Sequence, residues 1–107
     1  MKRKSDRFED YLQERLKSPR FRKHFEQARV AVEVAHHIVR LREKLGITQA
    51  ELARRMGTKQ QTISRLEGGD YEGFTLKTLM KIAQATKSQL VVDFRLPKEA
   101  ARVKIAT

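Results

Sequence analysis

Gln49–Gly68, QAELARRMGTKQQTISRLEG, reads as two short helices joined by a tight turn. Leu52, Ala53, Met56, Ile63 and Leu66 stand at the positions where two crossed helices must meet. Ala53 lets the second helix approach closely, and Gly57 can adopt the left-handed backbone of the turn without steric cost. Ile63 and Leu66 anchor the second helix by its inner face, which leaves Gln60, Gln61, Ser64 and Arg65 outside.

Those four residues are i, i+1, i+4 and i+5, so they share one helical stripe opposite the anchors. Their chemistry suits base edges. A glutamine pairs bidentately with adenine N6 and N7, an arginine with guanine O6 and N7, and both patterns are presented in the major groove of DNA. A polar stripe can equally be a solvated face, but here core spacing, turn glycine and paired glutamines occur together.

Residues 38–90, most clearly LGITQAELARRMGTKQQTISRLEGG followed by TLKTLMKIAQAT, resemble the Cro/repressor (XRE) helix-turn-helix family. The resemblance implies that Thr48 and Gln49 open the first motif helix and hold a phosphate, and that Gln60, Gln61 and Arg65 read bases. It also implies that Arg42 and Glu67 form an internal ion pair tying the first helix of the domain to the recognition helix. Lys59, Arg54 and Arg55 lie where cations can reach phosphates, and Thr58, Thr62 and Ser64 complete the expected DNA-facing set.

A chain of 107 residues has room for one modest core and no large catalytic cleft. Its 24 Lys and Arg against 13 Asp and Glu give a net charge of +11, which points to a polyanionic partner. Nucleic acid is the first candidate and an anionic membrane the second, but the N-terminal charges are mixed in sign, which disfavours lipid. RNA would call for aromatic stacking groups that the recognition stripe lacks. With no cysteine there is no disulfide or thiolate site, and the adjacent His36 and His37 point too far apart on a helix to chelate one ion. No HExxH, GxSxG or GxxxxGK[ST] occurs, so no enzyme, metal, cofactor or small-molecule substrate is expected. Neither an apolar run near 18 residues nor a signal-peptide pattern is found, and a cytoplasmic, bacterial-type protein held at the nucleoid when bound to DNA is expected.

Outward from the motif, the spacing predicts an all-α bundle flanked by an arm and a strand. Residues 1–27 form the arm, in which Phe8, Tyr11, Leu12 and Leu16 recur at helical spacing behind Ser5 as a cap. Ser18-Pro19 starts a helical stretch that runs without glycine or proline to Leu45, either as one long helix or as two with a bend near Ala28, and Gly46 ends it. Residues 28–88 form the DNA-binding domain. Thr48 and Thr58 are cap candidates for its motif helices, and Thr75 caps a further helix that turns Leu76, Leu79, Ile82 and Ala83 inward. In 89–96 the period changes to two: Leu90, Val92, Phe94 and Leu96 alternate with Val91, Asp93 and Arg95, as in a strand apolar on one face. A lone strand needs a partner, either its own helices or the same strand of a second copy across a two-fold axis. Residues 97–107 read as a mobile basic tail.

The expectation is therefore a homodimer binding double-stranded DNA at a palindromic operator, with half-sites about one helical turn apart. The order of arm, Cro-type domain, the segment GDYEGFTLKTLMKIAQAT and following strand resembles HigA-type antitoxins over residues 8–96, and the last third resembles HipB-type antitoxins. That resemblance implies autoregulation and neutralisation of a co-encoded protein toxin, usually a messenger-RNA endonuclease. The family's usual glycine after the fourth helix is here replaced by Lys87-Ser88. Phe8, Tyr11, Leu12 and Leu16 are the candidate toxin-binding set, with packing on the chain's own domain as the equal alternative; an autonomous repressor is the alternative function.

Overall fold

The computed structural model describes residues 4–97, with side chains from Ser5 onward. Five helices follow in order: α1 Lys4–Arg15, α2 Pro19–Lys44, α3 Gln49–Met56, α4 Gln60–Glu67 and α5 Leu76–Thr86, with a single 3-10 turn at Tyr71–Gly73 between the last two. The expected tail lies almost wholly outside the described residues.

Local chemistry accounts for most boundaries. Ser18 caps α2 by accepting from the Phe21 amide at 3.3 Å, and Pro19 occupies the first helical position, where its missing N–H costs nothing. From there α2 is one uninterrupted helix of 26 residues, about 39 Å long at 1.5 Å per residue. The alternative with a break near Ala28 is thereby excluded. Ser5 lies inside the first turn of α1, which begins at Lys4, so it is not the cap expected of it.

The core is assembled from α2, α3, α4 and α5. Leu52 and Ile63 are 0% exposed, and Ala53, Leu66, Ile38 and Ile82 close around them. Burying a side chain such as Ile63 contributes about 1.5–3 kcal/mol, so this pair fixes how α3 and α4 cross. Met56, Leu79 and Phe74 pack on the edge of that cluster. Leu76, expected inside, is exposed on the first turn of α5, whereas Thr86 is buried. The Thr86 hydroxyl donates to the Ile82 carbonyl at 2.7 Å and lies 2.8 Å from the Ser88 hydroxyl, so its burial leaves no unmet polar atom.

α5 ends at Lys87 with φ 53°, the left-handed conformation usually given to glycine. Ser88 N–H then bonds the Ala83 carbonyl at 2.9 Å, so the replacement of glycine by Lys87-Ser88 leaves the helix end intact.

Two flanks differ from expectation. Residues 88–96 take no regular secondary structure and form no strand, and among the described residues nothing runs beside them to complete a ladder. A strand exists only by pairing its amides and carbonyls, and the alternation of Leu90, Val92 and Phe94 cannot supply that within one chain. The arm is helical as expected, but its apolar side is unevenly covered: Leu12 and Leu16 are half-buried, while Phe8 and Tyr11 are 61% and 60% exposed. The Arg15 guanidinium sits 5.0 Å above the Phe21 ring, which stacks in turn on Phe25, and this contact links α1 to the start of α2.

Candidate nucleic-acid interface

α3 and α4 are joined by a turn that only a left-handed residue can close. Gly57 takes φ 70° and ψ 34°, its amide bonds the Arg54 carbonyl, and Thr58 N–H reaches back to the Ala53 carbonyl at 2.9 Å. Thr48 caps α3 as expected, accepting from the Glu51 amide at 3.1 Å. α4 begins differently. Its N-cap is Lys59, not Thr58, and no side chain bonds its first amides.

The polar stripe of α4 stands where the periodicity put it. With Ile63 and Leu66 buried, Lys59, Gln60, Gln61, Ser64 and Arg65 are exposed and Thr58 and Thr62 are half-buried beside them. Among the described residues none of Gln60, Gln61, Ser64 and Arg65 spends its side chain on a hydrogen bond or ion pair, so their donors and acceptors are available to a ligand.

The Arg42–Glu67 pair is present and bidentate. Nε and Nη2 of Arg42 donate to the two Glu67 carboxylate oxygens at 2.7 and 3.1 Å, and Nη1 donates to the Ile47 carbonyl at 3.0 Å. The Glu67 side chain is only 7% exposed. Burial opposes its charge most strongly, but the hydrogen bonds from Arg42 and Gln49 outweigh that cost and hold its carboxyl below the ordinary glutamate range.

Gln49, the first residue of α3, also takes part in this pair. Its amide donates to Glu67 at 3.0 Å, so this residue braces the ion pair from the start of α3 and has one amide hydrogen committed inside the fold. Arg54 and Arg55, expected to face phosphates, are both drawn to Glu51, at 2.6 and 3.0 Å. Those two arginines hold the Glu51 carboxyl at about 2, through hydrogen bonds from Arg54 first and Arg55 second. The clamp was legible in principle, because an acid three and four residues ahead of two arginines is the standard helical ion-pair spacing.

His24, His36 and His37 lie exposed along α2, and no group of three metal-ligating side chains occurs among the described residues. None of the described helices is long and apolar enough to cross a membrane. No curated protein and no solved structure matches the chain. A family model described as helix-turn-helix matches residues 38–91, which span the latter part of α2, the whole motif and α5. That match takes in half of the sequence and coincides with the packed core, so the chain belongs to this helix-turn-helix family of DNA-binding transcription regulators.

Proposed function

We propose that this protein is a sequence-specific repressor that binds a palindromic operator as a homodimer, each copy placing α4 in the major groove. The observation that carries the reading is the exposed, uncommitted stripe of Gln60, Gln61, Ser64 and Arg65 set rigidly by Ile63 and Leu66. Gln60, Gln61 and Arg65 read base edges. Lys59 and the uncapped first amides of α4 face the phosphate backbone, with Thr48 at the start of α3 beside them. Arg54 turns from Glu51 to a phosphate when one is offered. The two copies meet through residues 90–96, whose alternation completes a two-stranded antiparallel sheet only across a dyad.

Duplexes selected from a random pool, followed by titration of Gln61→Ala and Arg65→Ala, test the base-reading assignment. Each variant is expected to lose about 1–3 kcal/mol on the selected site and to relax base choice at the position it contacts. Equal weakening on every sequence would make these residues phosphate contacts and overturn the assignment.

A second reading is favoured by the arm. Phe8 and Tyr11 stay exposed on α1 although Leu12 and Leu16 are half-covered, so the helix has an apolar edge that the other described residues do not cover. In this reading the protein is the antitoxin of a two-gene operon, and the arm holds the co-encoded toxin. Removal of residues 1–17 is expected to abolish co-purification with the toxin expressed from the adjacent gene, while melting stays within a few degrees of the full chain. Retained capture would exclude the arm as the toxin surface.

A further inference from the structure

The C-terminal segment leaves the fold gradually. Leu90 is half-buried and, with Val91, Val92 and Asp93, lines a groove of 690 Å³ whose other walls include Val34 and Ile38 of α2 and Ile82 of α5. Beyond it Phe94 is 93% exposed, and Arg95 bonds Asp93 at 3.1 Å along the same chain. By alternation, Leu90, Val92, Phe94 and Leu96 share one apolar side of an extended chain, and one acid and one base, Asp93 and Arg95, flank Phe94 on the other.

This deepens the homodimer reading and rests on it. In an antiparallel pair about a two-fold axis at residue n, residue n−1 faces the partner's residue n+1. Only a dyad on a residue keeps apolar face against apolar face, since a dyad between residues would set each Leu90–Leu96 position opposite the other face. A dyad at 93 or 95 puts Asp93 or Arg95 against its own copy, and like charges directly opposite are destabilising. A dyad at 92 leaves Asp93 facing Val91 and Arg95 facing Gln89, and one at 96 sets Arg95 against Pro97. A dyad at 94 satisfies every position. Phe94 meets its copy, Val92 meets Leu96, and both charges find an opposite charge.

We propose that two copies pair residues 92–96 with Phe94 on the dyad, so that Asp93 exchanges its intrachain Arg95 for the partner's Arg95.

The full chain contains no cysteine, so single cysteines report the register directly. Phe94→Cys is expected to form a disulfide-linked dimer on mild oxidation, because residues facing themselves lie within the 4.4–6.8 Å range of Cα separations that a disulfide spans. Val92→Cys is expected to stay monomeric on a non-reducing gel, since its copies would be about 13 Å apart at 3.3 Å per residue. Sedimentation equilibrium supplies the second measurement: Asp93→Arg raises the dimer dissociation constant about tenfold, and adding Arg95→Asp restores it, as cross-strand charge pairing requires. A cross-link in the Val92→Cys variant and none in Phe94→Cys would overturn the register while keeping strand pairing. A native-sequence dimer that neither cysteine variant links would overturn the interface and leave dimerisation standing. A native chain that sediments as a monomer at all concentrations would overturn both.

Discussion

α3 and α4 are each eight residues long, share one core and are joined by one turn, yet they treat their polar groups in opposite ways. α3 satisfies itself: Thr48 caps its start, Glu51 gathers Arg54 and Arg55, and Gln49 braces Glu67. α4 keeps its outer polar groups uncommitted. Its N-cap is a lysine that bonds no amide, and its glutamines and Arg65 reach out from the surface without partners among the described residues. Of the two helices, one spends its polar groups within the chain and the other presents them outward. What separates them is whether their hydrogen-bonding capacity is used within the chain.

The largest effect should fall on the residue that ties the two helices together. Glu67→Ala removes the acceptor shared by Arg42 and Gln49 and leaves the Arg42 guanidinium, 17% exposed, without its counter-charge. A loss of about 2–3 kcal/mol in urea unfolding is expected, somewhat below the cost of breaking a fully buried pair. Glu51→Ala, which cuts only contacts within α3, is expected to leave the midpoint essentially unchanged. If the two variants were equally destabilised, the division between a bridging acid and a local one would be wrong.

Acid titration sharpens the same contrast. The Glu67 carboxyl is held below its unfolded value of 4.5, so its contribution is fully present above that pH and is lost as pH falls through the folded value. The melting temperature is therefore expected to decline on acidification below about pH 4.5, and Glu67→Gln should flatten that decline while lowering the plateau at neutral pH. A variant with an unchanged acid limb would show that other carboxylates dominate it.

The apolar spacing of Leu52, Ile63 and Leu66 made the motif legible, because a helix with so narrow a buried stripe has only one face to turn inward. The Arg42–Glu67 pair was legible only through the family pattern, since nothing local connects residues 25 positions apart. Other features escaped for physical reasons. Gln49 joins that pair because α3 crosses the end of α4, a tertiary fact that periodicity does not encode. Leu76 lies outside because it sits on the first turn of α5, where the helix has not yet reached the core. The strand expected over Leu90, Val92 and Phe94 depends on a partner backbone, and alternation records which side chains share a face without supplying the second edge.

The smallest effect probes the caps themselves. Thr48→Ala should cost about 1 kcal/mol, the usual value of a side-chain cap, because the Glu51 amide then loses its acceptor. Lys59 has no such bond to lose, so Lys59→Ala should be neutral for stability, and Lys59→Ser should exceed Lys59→Ala by up to about 1 kcal/mol by capping α4. Both Lys59 variants lose the same positive charge, so any further weakening of DNA binding in the serine variant isolates the amides that the new hydroxyl occupies. Stability gained together with affinity lost is the outcome that the proposed use of α4 requires: the start of the reading helix is left uncapped because phosphate oxygens complete it. Were Lys59→Ser to bind DNA as tightly as Lys59→Ala while melting higher, the bare amides of α4 would be an imperfection of the fold with no part in recognition.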